Sequence, residues 1–264
     1  IRTTGHGNPD AESSLMSSRR VDDLVARDRA SIAEAQKIRF FPFAPVAADG
    51  AHVIDADGRR LLDFTAGWAV ANTGYGNARV RAAILAEVER GSYAGVVSAA
   101  IEPPIVLAER LLELTALRRP SKVWFGHSGS DANEALARLV RRATGRSRII
   151  TFNGAYHGST DGSAALSGHT AQARWAASDH AARLPFPDAY RAPGENAAAE
   201  EASILELLER RLGFDWPPSD TAALLVEPIQ SDGGILAPSP AFLRGLERIC
   251  RDHDILLAVD EVKV

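Results

Sequence analysis

The sequence has 264 residues, of which 45% are hydrophobic, and its formal net charge is −4. This composition is typical of a globular protein, and the mildly acidic balance argues against nucleic-acid binding. No apolar run approaches the roughly 20 residues that a membrane span needs, so no membrane partner is expected. The single cysteine, Cys250, excludes a disulfide framework within the sequence. Because an apolar signal-peptide core is also lacking, a cytoplasmic location is expected.

The region before residue 76 predicts a leader, a helix and a hairpin. Residues 1–17 are polar and show no periodicity, so we expect a flexible leader there. The charged, Ala-rich stretch from Val21 to Ile38 favours an amphipathic helix. Apolar residues on both sides of Asp55–Gly58 predict two strands, because Asp and Gly are typical of the turn that joins a hairpin.

From residue 76 onward, helical and strand-like segments alternate, which predicts an α/β fold with a mainly parallel sheet. The predicted helices cover 77–90, 103–117, 132–144 (with Gly145 as its stop) and 200–212, and another begins at Ser239-Pro240. The predicted strands cover 123–125, 147–152, 222–226 and 255–259. Residues 161–196 lack clean periodicity and are expected to form an irregular insertion. Its histidines, His169 and His180, have no metal-ligand spacing, so no metal site is predicted.

The small, polar turn between the strand 123–125 and the following helix is a candidate anion site. Gly129 allows close approach of a ligand, and Ser128 and Ser130 place hydroxyl groups at the helix start. Free N–H groups at a helix N-terminus favour a phosphate. The alternative is that Ser128 or Ser130 only caps the helix.

A second turn, residues 153–158, follows the next strand and is expected at the same carboxyl edge of the sheet. Ligands of open α/β sheets bind outside that edge. Tyr156 offers an aromatic face and His157 follows it, so the two turns together suit a flat, phosphorylated cofactor.

These two turns carry a family resemblance. SGSDANEAL, from Ser128, and FNGAYHGST, from Phe152, resemble the class III pyridoxal 5′-phosphate (PLP) aminotransferases of fold type I. Glu227-Pro228 and Asp260-Glu261-Val262 match further motifs of that family in the same order. The resemblance implies that residues 18–75 are an N-terminal segment and part of a small α+β domain. It also implies that 76–264 form the PLP-binding large domain, incomplete at its C-terminal end.

The resemblance assigns a role to each matched residue. Ser128, Gly129 and Ser130 would hold the cofactor phosphate, and Tyr156 of the Tyr156-His157-Gly158 turn would stack on the pyridine ring. Asp260 would keep the pyridine nitrogen protonated, because an opposite charge nearby favours the cationic form. The remaining roles fall to Val262 on the opposite ring face, Glu227 at the cofactor edge, His157 in the cofactor site and Trp68 in the substrate-pocket wall.

The implied reaction is transamination between an amino acid or ω-amine and a keto acid, catalysed by a homodimer. It requires a lysine as Schiff-base partner and as general acid and base. The sequence contains Lys37, Lys122 and Lys263. None of them is suitably placed: Lys263 lies too close to Asp260 and stands where many relatives have glutamine. The Schiff-base lysine is therefore expected beyond Val264.

Two alternatives remain open on the residues alone. The first is a catalytically silent protein that binds PLP without the lysine. The second is a PLP-dependent aminomutase or racemase on the same scaffold. The motifs do not identify the amino donor.

Overall fold

The computed structural model describes residues 9–34, 37–93, 95–115, 120–170, 181–192 and 196–264. The contacts divide the chain into two compact units, one that ends at Ile105 and one from Val106 to Val264. The predicted domain boundary between 75 and 76 stays a prediction, since the helix that follows it belongs by its contacts to the first unit.

The first unit contains helices and a small antiparallel sheet. Its elements are α1 (Pro9–Ser31), β1 (Pro45–Asp49), β2 (His52–Asp55), β3 (Arg60–Leu62), α2 (Ala66–Ala69) and α3 (Ala78–Glu89). Strand β2 lies between β1 and β3 and is antiparallel to both, so the predicted hairpin is confirmed. At its turn, the buried Asp55 carboxylate accepts hydrogen bonds from Asp57 N at 3.0 Å and from Arg59 N at 2.8 Å. The carboxylate therefore satisfies the backbone of the turn.

Helix α1 differs from the predicted helix at both ends. It begins at Pro9, so residues 9–17, predicted as part of a flexible leader, are helical. Proline suits a first helical turn because the N–H it lacks would have no partner there. The helix ends at Ser31 rather than Ile38, where Ser31 Oγ donates to Arg27 O at 2.6 Å, a local bond that competes with the helix. Residues 1–8 lie outside the described part.

The second unit contains a four-stranded sheet of order β5-β4-β6-β7 in which all three strand pairs are parallel. The strands are β4 (Arg148–Phe152), β5 (Ala181–Leu184), β6 (Thr221–Val226) and β7 (Leu256–Val259). The helices are α4 (Glu102–Leu114, which spans the division), α5 (Gly129–Thr144), α6 (Asp161–Leu166), α7 (Ala197–Leu212) and α8 (Pro240–Asp252). The predicted α/β architecture with a mainly parallel sheet is confirmed.

Helices cover both faces of this sheet. Successive side chains of a strand point to opposite sides, so a strand of apolar residues needs packing partners on both faces. On one face, Ile150 and Leu224 pack in a cluster with side chains of α7 and α8. On the other face, Ile149 and Leu225 pack with Ala137 of α5. Strand β6 is buried along its whole length, which places the core at the centre of the sheet.

Two sequence-based expectations about this unit were wrong. Residues 123–125 are not a strand, because no described strand pairs with them. The side chains of Trp124 and Phe125 are exposed, so this apolar run is not buried as a core strand would be. The stretch 161–196 is not irregular throughout, because it contains α6 and β5. Strand β5 reads Ala-Ala-Arg-Leu and lacks strand propensity, but pairing with the buried β4 overrides that preference. Its residues 171–180 and 193–195, His180 among them, lie outside the described residues.

Candidate active site

Polar turns after three neighbouring strands meet the N-terminus of α5 at one edge of the sheet. The turn after β4 carries Tyr156 and His157, β6 ends before Glu227, and β7 ends before Asp260. With the start of α5 they enclose a cavity of about 210 Å³. All the predicted cofactor-binding residues line it, namely Ser128, Gly129, Ser130, Tyr156, His157, Glu227, Asp260 and Val262. The structure thus brings these residues together, and their individual roles stay predictions.

The start of α5 supplies donors to the cavity. Ser128 is the extended N-cap, and its Oγ accepts a hydrogen bond from Asp131 N at 3.1 Å, so Ser128 does cap the helix. Ser130 Oγ accepts from Ser159 N at 3.1 Å and ties α5 to the turn after β4. Both hydroxyl oxygens act as acceptors in these bonds, which leaves their own protons available to a ligand.

Asp260 is held as an anion at the base of the cavity. Its side chain is 6% exposed, and Oδ2 accepts from Asn133 Nδ2 at 2.8 Å and pairs with His157 Nδ1 at 2.9 Å. Oδ1 accepts from Val262 N at 3.1 Å. Burial raises the pKa of the Asp260 carboxyl, but the bonds from His157 and Asn133 outweigh burial and hold it below its usual range. Asp260 is therefore ionised at neutral pH.

Asn133 and the contact between His157 and Asp260 were not predicted from the sequence. Asn133 is buried in α5, where it also donates to His157 O at 2.9 Å. One signal was present: Asn133 lies four residues after Gly129, on the same helix face, and is polar in an Ala/Leu-rich helix. His157 is fully buried, and its Nε2 has no hydrogen-bond partner among the described residues.

Glu227 anchors the turn that carries the aromatic ring. The buried carboxylate accepts from Tyr156 N at 3.0 Å through Oε1 and from Ser231 N at 3.1 Å through Oε2. Burial raises the pKa of Glu227 above its usual range, although the amides of Ser231 and Tyr156 oppose this in part. The carboxylate thus joins the turns after β4 and β6.

The raised pKa of Glu227 predicts a pH dependence of stability. Relative to Glu227→Gln, the wild-type free energy of unfolding should fall as pH rises above 4.5, the ordinary pKa of this carboxyl. In that window the unfolded chain has released the Glu227 proton while the folded chain still holds it. Urea titrations of both proteins at several values between about pH 4 and 7 measure the difference. Parallel pH profiles would contradict the raised pKa.

Trp68 lies in the first unit, and its predicted substrate-binding role stays a prediction. Its ring is half-exposed and stacks on Phe40 with 6.1 Å between centroids. The residue belongs to a left-handed turn, α2, in which Gly67 and Trp68 have φ of 60° and 74°. The Asp63 carboxylate holds this turn by accepting hydrogen bonds from Thr65 N and Gly67 N. Hydrogen bonds from Thr65 and from the Tyr75 hydroxyl lower the pKa of Asp63 to about 2.

Two absences concern the described residues only. Among them, no three His, Cys, Asp or Glu side chains cluster in a way that could hold a metal ion. None of the helices described there combines the length and the apolar character that crossing a membrane requires.

The chain is similar to known proteins over most of its length. Residues 33–264 match the aminotransferase class-III family. Isoleucine 2-epimerase of Lentilactobacillus buchneri is 32% identical over 90% of this chain and 54% of its own length. The 4-aminobutyrate aminotransferase of Escherichia coli is 35% identical over 83% of this chain and 51% of its own length. The chain therefore spans about half the length of the curated relatives it matches.

A solved structure agrees with this assignment. The PLP-bound amine transaminase from an uncultivated Pseudomonas species superposes with a TM-score of 0.79 and 29% identity, over 88% of this chain and 54% of that one. The family match covers most of the residues, and it includes every strand and turn that builds the cavity. The chain belongs to the class-III aminotransferases.

Proposed function

We propose that this chain forms the cofactor-binding part of a PLP-dependent enzyme that transfers an amino group between an amino acid or ω-amine and a keto acid. The observation that carries the proposal is the pairing of an ionised, buried Asp260 with the donor-rich start of α5 across one cavity. A cationic pyridine nitrogen and a phosphate are the two charged ends of PLP. The relative from Escherichia coli and the Pseudomonas structure support the same reading.

The residues present fit this cofactor. A methyl group on Gly129 would lie 3.0 Å from Val262 Cγ2, and one on Gly158 would lie 2.6 Å from Ser130 Oγ. Side chains at these positions would fill the space beside the helix start, so the glycines keep a cradle open there. The donor set of two hydroxyl groups and the N-terminal end of α5 matches a phosphate. Asp260, acceptor-only when ionised, matches a protonated ring nitrogen.

When bound, PLP supplies an electron sink for breaking a bond at the substrate carbon. The chain's own residues would orient it. Ser128 and Ser130 would donate to the phosphate, and Asp260 would keep the proton on the ring nitrogen. His157 and Asn133 hold the Asp260 carboxylate in place. Tyr156 and Val262 would enclose the ring from its two faces and exclude water.

Tyr156→Ala tests the stacking role. We expect the affinity for pyridoxamine 5′-phosphate to fall by roughly 0.5–1.5 kcal/mol, the contribution of an aromatic pair. This ligand has no aldehyde, so lysines do not react with it, and calorimetry measures the affinity directly. Tyr190→Ala is the matched control, because Tyr190 is a tyrosine of the same unit and is almost fully exposed. Equal affinities of the two variants for the ligand would contradict the stacking role of Tyr156.

A second candidate function is amino-acid racemisation, which the similarity to isoleucine 2-epimerase favours. Protein that includes the Schiff-base lysine required by the reaction is incubated with PLP, with ¹⁵N-labelled amino acids or ω-amines and with a keto acid, and mass spectrometry follows the label. A ¹⁵N amino group on the carbon skeleton supplied by the keto acid supports transfer. Inversion of a single enantiomer without a keto acid, seen by chiral chromatography, supports racemisation instead. PLP binding without either reaction would leave a silent binding protein.

We also propose a homodimer, as the family resemblance implies. Support comes from α4, in which three large apolar side chains are at least half exposed: Val106 at 54%, Leu107 at 50% and Leu114 at 68%. Large apolar side chains exposed on one helix favour a protein–protein interface. The cytoplasmic location remains a prediction from the sequence.

A further inference from the structure

Ser159 follows the turn that carries Tyr156 and His157, and the proposed function gives it no role. Its two polar groups contact different parts of the cavity wall. The Ser159 hydroxyl lies 2.8 Å from the Tyr156 hydroxyl, so the two groups share a hydrogen bond. The Ser159 N–H donates to Ser130 Oγ at 3.1 Å. One residue therefore contacts both the aromatic side chain and a hydroxyl group at the start of α5.

The main chain is fixed on both sides of Ser159. Before it, Gly158 packs so closely against α5 that an added methyl group would lie 2.8 Å from Ser130 Cα. After it, Thr160 is the N-cap of α6, and Thr160 Oγ1 donates to Glu134 Oε2 at 2.8 Å. Ser159 is exposed, but the packing of this turn against α5 sets its position.

The contact with Ser159 bears on the orientation of the Tyr156 ring. Glu227 accepts a hydrogen bond from Tyr156 N at 3.0 Å, which fixes the backbone and leaves the side chain free to rotate. Lys263 Nζ lies 5.7 Å from the ring centroid and attracts the ring face, not the hydroxyl end. Within the described part of the chain, only Ser159 bonds that hydroxyl end. The Ser159 hydroxyl thus limits rotation of the ring.

We propose that Ser159 is a positioning residue that fixes the Tyr156 ring relative to the Ser130 hydroxyl. This inference rests on the proposed function, in which Tyr156 stacks on the cofactor ring and Ser130 donates to its phosphate. A ligand that joins a ring to a phosphate binds best when both subsites are already held at the matching separation. Without the Ser159 hydroxyl, the Tyr156 ring occupies the stacking orientation for part of the time, and the apparent affinity falls by that fraction.

Deletion of single oxygen atoms tests this role. Ser159→Ala and Tyr156→Phe each remove one of the two bonded hydroxyl groups, and they keep the Ser159 N–H and the aromatic ring. Each variant should bind pyridoxamine 5′-phosphate roughly two- to tenfold more weakly. The double variant should lose no more than either single variant, because both changes break the same bond. Ser159→Thr retains a hydroxyl group and should keep most of the affinity. Calorimetry measures each of these proteins.

Inorganic phosphate separates positioning from direct contact. It has no ring, so Ser159→Ala should leave its affinity unchanged in a ³¹P NMR titration. An equal loss for phosphate and for pyridoxamine 5′-phosphate would show that the Ser159 hydroxyl contacts the phosphate itself, and would overturn the positioning role. Ser147→Ala is the matched control. It removes a side-chain hydrogen bond of the same length, from Ser147 Oγ to Asp220 Oδ1 at 2.8 Å, just before β4 begins, and should change neither affinity.

The outcomes separate this inference from the proposed function. Wild-type protein that does not bind pyridoxamine 5′-phosphate would overturn the proposed PLP site itself. If the wild type binds it, wild-type affinity in both single variants would overturn the role of Ser159 alone. Additive losses in the double variant would do the same, because they would show that the two hydroxyl groups act independently. Thermal unfolding of each variant shows whether the comparison is made between folded proteins.

Discussion

Gly158→Ala is expected to abolish most cofactor binding. A methyl group at this position would collide with Ser163 Oγ and would lie 2.6 Å from Ser130 Oγ and 2.8 Å from Ser130 Cα. The side-chain atoms could rotate away, but the Cα atom belongs to the first turn of α5 and can move only with the helix. Gly158 also has φ of +134°, a conformation that residues with a Cβ rarely adopt. The start of α5 should therefore shift away from the phosphate position.

The expected cost is about 1–3 kcal/mol of unfolding free energy from overpacking, together with at least a tenfold loss of affinity for pyridoxamine 5′-phosphate. Calorimetry and urea titration measure the two quantities separately. Gly145→Ala is the matched control: Gly145 has φ of +70°, ends α5, and has no atom within 4 Å of an added methyl group. It should lose stability without losing affinity. Equal affinities in the two variants would show that the Gly158 contact does not shape the site.

Asp260→Ala and Asp260→Asn are expected to separate the charge of Asp260 from its structural role. Alanine leaves the His157 and Asn133 donors without an acceptor, so the free energy of unfolding should fall by about 3 kcal/mol. Asparagine keeps an acceptor oxygen of similar shape and should be less destabilising. Neither can hold a positive charge on the ring nitrogen. Both variants should therefore lose transfer activity, by roughly a hundredfold or more.

The decisive comparison is between wild type and Asp260→Asn in protein that includes the Schiff-base lysine, with PLP bound and transfer of the ¹⁵N label as the assay. A folded Asp260→Asn protein with wild-type turnover would remove the carboxylate from its proposed role. The stability difference from wild type also has a predicted sign with pH. Because the pKa of Asp260 is lowered by folding, its contribution is present above the ordinary value of 3.8 and is lost as pH falls through the folded-state pKa.

Local signals in the sequence predicted the elements that build the cavity. Gly145 ends α5 in the left-handed conformation that favours glycine, and Ser239 and Pro240 cap and begin α8 as expected. Strand β6 was recognisable because a run of apolar residues buried on both faces has no polar alternation. Each of these signals acts within a few residues along the chain, which is why it can be read without the fold.

Contacts between distant residues could not be read in the same way. The bond between Asn133 and Asp260 joins residues 127 positions apart, and the bond between His157 and Asp260 joins residues 103 apart. Neither pair has a spacing signature, since the sheet rather than the sequence sets their separation. Strand β5 and residues 123–125 failed for a related reason: pairing with a neighbour decides whether a short segment is a strand.

The sequence by itself determined the class of fold and the residues that gather at one edge of the sheet. In a parallel sheet the carboxyl ends of all strands lie at the same edge. A polar residue directly after a strand is therefore placed at that edge by connectivity alone. Only the tertiary structure decided what those residues do to each other. It placed the Asp260 carboxylate against His157 and Asn133. It also bonded Glu227 to the Tyr156 amide and placed the Lys263 ammonium group beside the Tyr156 ring. Charge state and orientation depend on burial and partners, and both arise only when the chain is folded.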